Sequence, residues 1–388
     1  MSKDNFSLMR GGAVHRFLSW SGALRPRLSL SRLIALLIVA TAFLPLAVSA
    51  ALDGTLYGYG ARVNIPLMFD YGLLFRLLGA LPLLILAAPF SDQLLRSAIR
   101  QFSRGGFVRK DEQGKFQHIL DRAERLRDAW LPEVLALIFA FVPVGGSPHM
   151  PELGHLSSWA GDGKGTASWA GDWFSHVSAP LFRFVAMLWF WRFLLWVWML
   201  WRFSRLQLDL RAPHPDGAGG LGFLGTAQVR FSTLAIAGSL LVCGACINHL
   251  LYTGASITSL QLLLGGYVVG ASALLLAPLL LLAPPLMRAK RHALSKYGIL
   301  GHRAVRQFEQ RWKRGEPADK SSLIDSGNPS ALADFSAVYG IVAGMSVVPI
   351  SRSNLIGMLL AAAIPLAPLV FFVMSLDELA SKLVSILV

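Results

Sequence analysis

The segment LFRFVAMLWFWRFLLWVWMLWRF, residues 181–203, decides the fold class. Within it only Arg183, Arg192 and Arg202 carry charge. A helix of about 20 apolar residues is long enough to cross the hydrocarbon core of a bilayer. The segment is therefore typical of a transmembrane α-helix, and comparable apolar runs recur along the chain.

The composition agrees with a helical membrane protein. Of the 388 residues, 54% are hydrophobic and only 15% are charged, whereas soluble domains are about 25% charged. Long continuous apolar runs argue against a β-barrel, whose strands alternate residue by residue. The net charge of +14 fits the Lys and Arg that membrane proteins collect in cytoplasmic loops, so no nucleic-acid partner is predicted.

The apolar runs predict an all-α polytopic transmembrane bundle of about seven spans. The predicted spans are residues 33–51, 71–90, 131–147, 182–203, 231–252, 262–286 and 354–374. The segments before, between and after them hold six, one, nine, one, three, none, eleven and one Lys or Arg. This strict alternation predicts a cytoplasmic N-terminus and a C-terminus outside. The third span is short and carries Pro132 and Pro143.

The remaining patterns predict the organisation around the spans. The parts are a basic cytoplasmic N-terminal segment (1–32), spans one and two (33–90), a cytoplasmic helical hairpin (91–130), spans three to six (131–286) with a glycine-rich cytoplasmic loop (204–230), a basic cytoplasmic helical region (287–353), and span seven with an amphipathic C-terminal helix (354–388). The first span has an alternative interpretation as a cleaved signal peptide, because LIALLIVATAFLPLAVSA ends in an A-x-A-like pattern. The long basic region before it favours a retained span.

Arg192 lies near the middle of the predicted fourth span, where an arginine costs roughly 2.5–3.5 kcal/mol. Acidic residues occur only at span ends, so we predict no carboxylate partner, which also argues against proton- or sodium-coupled transport. Trp189 and Trp196 share its helix face at i−3 and i+4 and offer cation–π contact. Two interpretations stay open: a binding site for an anion such as a lipid phosphate, or an arginine satisfied by carbonyls and tryptophans.

The fifth span carries two cysteines and a polar pair. Cys243 and Cys246 have CxxC spacing, but they lie mid-span beside Gly and Ala, which predicts close helix packing rather than metal or redox chemistry. Asn248 and His249 lie near the outer end, where interhelical hydrogen bonding is the default expectation and lining of a cavity is the alternative. No catalytic residue, metal site or cofactor is predicted from the sequence.

The loop HPDGAGGLGFLG, residues 214–225, has three interpretations. The first is a tight turn whose apolar residues dip into the membrane interface, because glycine permits positive φ. The second is a nest of N–H groups that binds an anion or headgroup; the candidate residues are Arg211, His214, Asp216, Gly217, Gly219 and Gly220. The third is catalysis, with His214 and Asp216 as acid and base. No GK[ST] follows, so the loop is not a P-loop.

This loop and LADFSAVYGIVAGMSVVPIS, residues 332–351, carry a family resemblance. Together with the fourth span they resemble a family of uncharacterised polytopic inner-membrane proteins of Gram-negative bacteria. The likeness covers much of residues 70–388 and is most specific in the HPDGAGGLGFLG loop. It implies a multi-pass protein of the bacterial inner membrane. No activity is established for that family, so no catalytic residue carries over.

These observations rank three functions. The leading expectation is a non-enzymatic protein that binds an anionic lipid or a small anion through Arg192 and the basic cytoplasmic face, in permeation, sensing or envelope assembly. The second is a membrane enzyme acting on lipid-linked phosphate groups at the cytoplasmic leaflet, which requires His214, Asp216 and Arg211 to converge. The third is a scaffold subunit, in which a homo-oligomer or another membrane subunit supplies the carboxylate for Arg192.

Overall fold

The computed structural model describes residues 6–12, 28–58, 63–142, 156–161, 166–314 and 329–372. Within these ranges the chain is helical and contains isolated β-bridges but no strand. The helices are α1 (Leu28–Leu52), α2 (Tyr71–Arg104), α3 (Gln113–Asp128), α4 (Trp130–Phe141), α5 (Trp169–Ser204), α6 (Gly222–Thr253), α7 (Ile257–Leu280), α8 (Ala283–Arg314), α9 (Pro329–Gly344) and α10 (Arg352–Ala363), which continues as a 3₁₀ helix over Ile364–Phe372. The predicted C-terminal helix over 375–388 lies outside the described residues.

Six helices in these ranges are long and apolar enough to cross a membrane: α1, α2, α5, α6, α7 and α10 with the start of its 3₁₀ extension. The predicted all-α membrane bundle is confirmed at this level. The third predicted span differs, because its helix α4 has only 12 residues, whereas about 20 are needed to cross the hydrocarbon core. The fourth also differs, since α5 begins at Trp169 and not at 182: the polar stretch WAGDWFSHVS is helical.

Helix α2 continues beyond its apolar part and pairs with α3. Gly105 ends α2, and Gly106 adopts a φ of +71°, which reverses the chain. Phe102 stacks on Phe203 of α5 with ring centroids 4.7 Å apart and on Phe116 of α3 at 5.6 Å. The predicted helical hairpin is therefore present, and its apolar face packs on the end of α5. We call this end of the bundle the hairpin end.

The opposite end of the bundle is organised around Asp70, and we call it the Asp70 end. Asp70 accepts hydrogen bonds from Leu73 N (3.0 Å), from Trp159 Nε1 (2.9 Å) and from Asn248 Nδ2 (2.8 Å). The Asn248 side-chain oxygen accepts from Tyr71 N at 2.9 Å. The prediction that Asn248 makes interhelical hydrogen bonds is confirmed, and α2 and α6 are joined by them.

Small residues allow α2 and α6 to approach closely at that end. A Cβ on Gly244 would collide with the carbonyl oxygen of Tyr71. Cys243 and Cys246, which flank this glycine, are both fully buried. The helix-packing interpretation of this segment is confirmed.

Two further helices extend the hairpin end. Two residues separate the end of α7 from the start of α8, which runs for 32 residues. Helix α9 packs on it, with the rings of Tyr297 and Phe335 6.4 Å apart. The chain then turns through residues 345–351 into α10. This turn and the glycine-rich loop meet, as described below.

Candidate functional site

Arg192 lies off-centre in its helix, towards the hairpin end. It is 23 residues from Trp169 and 12 residues from Ser204, the two ends of α5. Asp92 occupies a similar level of α2, 21 residues after Tyr71 and 12 before Arg104. The predicted central position of Arg192 is therefore wrong, because the polar sequence before residue 182 belongs to the same helix.

The side chain of Arg192 is only 6% exposed and is satisfied within the chain. Its NH2 donates to the carbonyl oxygen of Gly11 at 2.8 Å, and its NH1 donates to that of Arg127 at 3.3 Å. Glu133, Asp128 and Asp92 also lie close enough to interact with its charge. The prediction that Arg192 lacks carboxylates is therefore wrong. Each acid lies at the end of its own helix or apolar run in the sequence, but the fold brings all three close to Arg192.

The two tryptophans that flank Arg192 in sequence point to other partners. Trp189 Nε1 donates to the carbonyl oxygen of Leu84 at 2.9 Å, and Trp196 Nε1 donates to Gln228 Oε1 at 2.7 Å. In the described residues, arginines lie over aromatic rings at positions 76, 127, 202 and 205, and not at 192. The predicted cation–π contact is wrong, since buried indole N–H groups need acceptors and these fix the rings.

Asp92 is the most completely paired carboxylate of this group. It is 2% exposed, and it accepts from Ser7 Oγ at 2.5 Å and from Met9 N at 3.2 Å. It forms ion pairs with Arg96 at 2.8 Å and with Arg10 at 3.3 Å. Three of these four partners belong to residues 6–12, which we call the N-terminal segment. Neither this segment nor Asp92 was predicted to be part of a site, because nothing in local sequence links them.

The glycine-rich loop supplies its own anion. Asp216 Oδ1 accepts from Ala218 N at 2.9 Å and from Gly220 N at 3.0 Å, and its Oδ2 accepts from Gly222 N at 2.8 Å. Gly217, Gly219 and Gly220 have φ values of +62°, +64° and +97°, which turn these N–H groups inward. A nest of N–H groups forms as predicted, but the carboxylate of Asp216 occupies it.

The electrostatics of Asp216 reflect these contacts. Burial alone would raise the pKa of its carboxyl, but the N–H groups of Ala218, Gly222 and Gly220 outweigh it, helped by His214. They hold the pKa of Asp216 below the ordinary value of an aspartate. The carboxylate is thus committed to the backbone and to His214 Nδ1, 2.8 Å from its Oδ1.

The loop packs against protein at several points. A Cβ on Gly220 would collide with the ring of Phe107, and one on Gly225 with the carbonyl oxygen of Pro349. Ser346 N donates to the carbonyl oxygen of Gly217 at 2.7 Å. The prediction that apolar loop residues dip into the membrane interface is wrong, since Leu221 and Leu224 are buried in the protein core.

The side chains of the enzyme hypothesis have separate partners. The guanidinium of Arg211 is exposed and pairs with Asp209 at 2.6 Å, whereas His214 pairs with Asp216 at 2.8 Å. The backbone joins the two residues, since His214 N donates to the carbonyl oxygen of Arg211 at 3.0 Å. The catalytic interpretation required all three side chains at one cleft.

A basic pocket lies between α3 and the end of α5. It encloses about 330 Å³ and opens at the surface; its lining residues are Gly114, Lys115, His118, Ile119, Arg202, Arg205 and Leu206. The guanidinium carbons of Arg202 and Arg205 lie 5.8 and 5.3 Å from the ring centroid of the exposed Trp201. Lys115 Nζ is paired with Glu112 Oε1 at 2.6 Å. We call this site the basic pocket.

The sequence shows the basic residues of this pocket but does not show that they meet. The predicted hairpin over 91–130 holds nine Lys or Arg, and Lys115 with His118 forms one i,i+3 pair in it. A second i,i+3 pair, Arg202 and Arg205, lies at the end of the fourth predicted span. Two such pairs on helices that pack together are the signal that was missed. Their meeting depends on how α3 lies along α5.

Comparisons of the chain with protein-family models, with curated proteins and with solved structures found no match. The resemblance carried by the glycine-rich loop stays a prediction. The two stretches that carry it do touch each other, through Ser346 and Gly217. The fold itself defines a multi-pass α-helical membrane protein.

Proposed function

We propose that this membrane protein binds the phosphate of an anionic lipid headgroup in the basic pocket and is not an enzyme. The observation that supports this proposal is one open cavity of about 330 Å³ whose lining includes four basic residues, Lys115, His118, Arg202 and Arg205. Basic side chains near a membrane surface attract anionic lipids by about 1 kcal/mol per charge. Exposed Trp201, whose ring both arginines contact, has the amphipathic character that favours the membrane–water interface.

The other two anion-binding candidates already have internal partners. Arg192 donates to two backbone carbonyls and lies near three carboxylates. The N–H groups of the glycine-rich loop bind Asp216. An external anion would have to displace these groups, whereas Arg202 and Arg205 line an open space. This comparison favours the basic pocket as the anion site.

The proposal includes an orientation in the bacterial inner membrane. The hairpin end carries the Lys/Arg-rich segments and is placed in the cytoplasm. The proposal counts a seventh crossing between Arg127 and Trp159, because these two residues lie towards opposite ends of α5. At the start of this stretch, the carbonyl of Arg127 meets Arg192; at its end, the rings of Trp159 and Phe174 are 5.7 Å apart at the other end of α5. Seven crossings put the N-terminus in the cytoplasm and the C-terminus outside.

Two alternatives gain no support. The enzyme hypothesis needs an uncommitted acid or base, and Asp216 is held by three N–H groups. The scaffold hypothesis used a partner's carboxylate for Arg192, and the chain brings its own acids to that arginine. A role in permeation, sensing or envelope assembly remains the wider expectation for a lipid-binding membrane protein.

Native mass spectrometry of the reconstituted full chain tests the pocket with phosphatidylglycerol as the probe. The double variant Arg202→Gln/Arg205→Gln is compared with Arg303→Gln/Arg306→Gln, a control with the same spacing on the exposed side of α8. Two headgroup contacts at about 1 kcal/mol each predict about 30-fold weaker binding in the pocket variant. The control is expected to bind like wild type.

A second arm distinguishes lipid from soluble anion. Inorganic phosphate at millimolar concentration is added to the same lipid-binding assay. Retention of phosphatidylglycerol supports a lipid site, whereas full displacement by phosphate indicates a site for a soluble anion. Equal lipid binding by the pocket variant and the control variant would refute the proposal.

A further inference from the structure

The N-terminal segment lies in a groove formed by α2, α3 and α5. Phe6 and Leu8 are buried, at 7% and 0% exposure. Arg127 NH1 donates to the carbonyl oxygen of Ser7 at 2.6 Å, and the Arg127 guanidinium carbon lies 5.8 Å from the ring centroid of Phe6. The segment alternates buried apolar side chains with polar contacts. This is the pattern of an extended peptide seated in a binding groove.

Side chains of the groove bind both the backbone and the side chains of the segment. Arg192 NH2 donates to the carbonyl oxygen of Gly11, and Gly12 N donates to Asp128 Oδ1 at 3.0 Å. Asp92 accepts hydrogen bonds from Met9 N and from Ser7 Oγ, and it forms an ion pair with Arg10. The groove thus binds six polar groups of the segment: two carbonyls, two N–H groups, one hydroxyl and one guanidinium. Charged side chains of the groove supply all of these contacts.

The Gly11–Gly12 pair makes the recognition sequence-specific. Their φ values are +155° and +92°, and the second lies well inside the region that side chains with Cβ rarely adopt. A Cβ on Gly11 would collide with Arg127 Nε, and one on Gly12 would collide with Glu133 Oε1. Only glycine permits the backbone to approach these two charged groups.

We infer that the groove is a peptide-binding site and that the N-terminal segment is its exchangeable in-chain ligand. Its recognition pattern is an apolar residue, Ser, an apolar residue, any residue, Arg, Gly and Gly. When the segment leaves, Asp92 keeps Arg96 as its one ion-pair partner among the described residues, and Arg192 loses its 2.8 Å acceptor. Buried charges without partners are costly, so the vacant groove favours rebinding of a peptide with the same pattern. The inference is independent of lipid binding at the basic pocket.

Amide hydrogen exchange of the full chain tests this without any substitution. Met9 N and Gly12 N are bonded to the carboxylates of Asp92 and Asp128, so we expect them to exchange at least tenfold more slowly than in the isolated peptide FSLMRGG. Excess FSLMRGG added in trans is expected to raise the exchange rate of the chain's own segment. A peptide with Ala in place of the last Gly is expected to have no effect.

A variant provides the second readout. Gly12→Ala in the full chain is expected to expose the segment to exchange and to let fluorescent FSLMRGG bind. Gly298→Ala is the matched control, because a Cβ there has nothing within 4 Å. Exchange in wild type as fast as in the isolated peptide would overturn the inference. So would slow exchange that excess peptide leaves unchanged, and this outcome requires no folded variant.

Discussion

Replacing Asp216 by Ala tests whether the glycine-rich loop is held together by its internal anion. The substitution removes the acceptor for Ala218 N, Gly220 N and Gly222 N, which lie 2.9, 3.0 and 2.8 Å from the carboxylate oxygens. The apolar residues of the loop, Leu221 and Leu224, are core residues. Loss of the loop's geometry is therefore expected to lower the stability of the whole hairpin end.

The magnitude follows from the three hydrogen bonds. Hydrogen bonds to charged groups contribute about 1.5–3 kcal/mol each, and we take about 1 kcal/mol because the side chain of Asp216 is 22% exposed. Asp216→Ala is thus expected to lower the free energy of unfolding by about 3 kcal/mol. Asp216→Asn keeps one oxygen acceptor and is expected to cost about half as much.

The assay is equilibrium unfolding in mixed micelles, followed by tryptophan fluorescence. Asp209→Ala is the matched control, because Asp209 is also in this loop region but pairs only with the exposed Arg211. We expect it to change the free energy of unfolding by less than about 0.5 kcal/mol. If Asp216→Ala were no more destabilising than Asp209→Ala, the internal-anion argument would be wrong.

The same substitution predicts a pH dependence. The pKa of Asp216 is lower in the folded protein than the ordinary value, which is about 3.9. Its carboxylate therefore contributes stability above about pH 4, and this contribution is lost as the pH falls through the folded-state pKa. The stability gap between wild type and Asp216→Asn is expected to be full at neutral pH and to narrow below about pH 4. A gap independent of pH would contradict the assignment.

Two further substitutions test contacts elsewhere in the fold. Gly220→Ala is expected to cost about 1–3 kcal/mol, because φ is +97° and the new Cβ would meet Phe107; the same unfolding assay checks this, and stability equal to that of Gly298→Ala would contradict it. Asn248→Leu keeps the branched shape of the side chain but removes the bonds to Asp70 and Tyr71, so we expect a loss of about 2–4 kcal/mol. Wild-type stability in that variant would show that the Asp70 end does not depend on this bridge.

The sequence predicted the structural class because membrane crossing is a local property. An apolar run of about 20 residues is visible without knowing the fold. The predicted helix boundaries were wrong where polar residues lie inside a helix. Asp172 and His176 made the first part of α5 look like a loop, although Ser168 caps the helix and it runs unbroken to Ser204. This error moved Arg192 to the wrong place in its helix.

Only the tertiary structure decided which charged groups meet. Gly11 and Arg192 are 181 residues apart in sequence, and Asp92 and Met9 are 83 apart. No periodicity links such residues, so the partners of Arg192 and the role of the N-terminal segment could not be predicted. The glycine pattern did indicate a nest of N–H groups, because positive φ is a local preference. That Asp216 fills the nest, and that α3 and α5 form the basic pocket, depends on side-chain directions that only packing fixes.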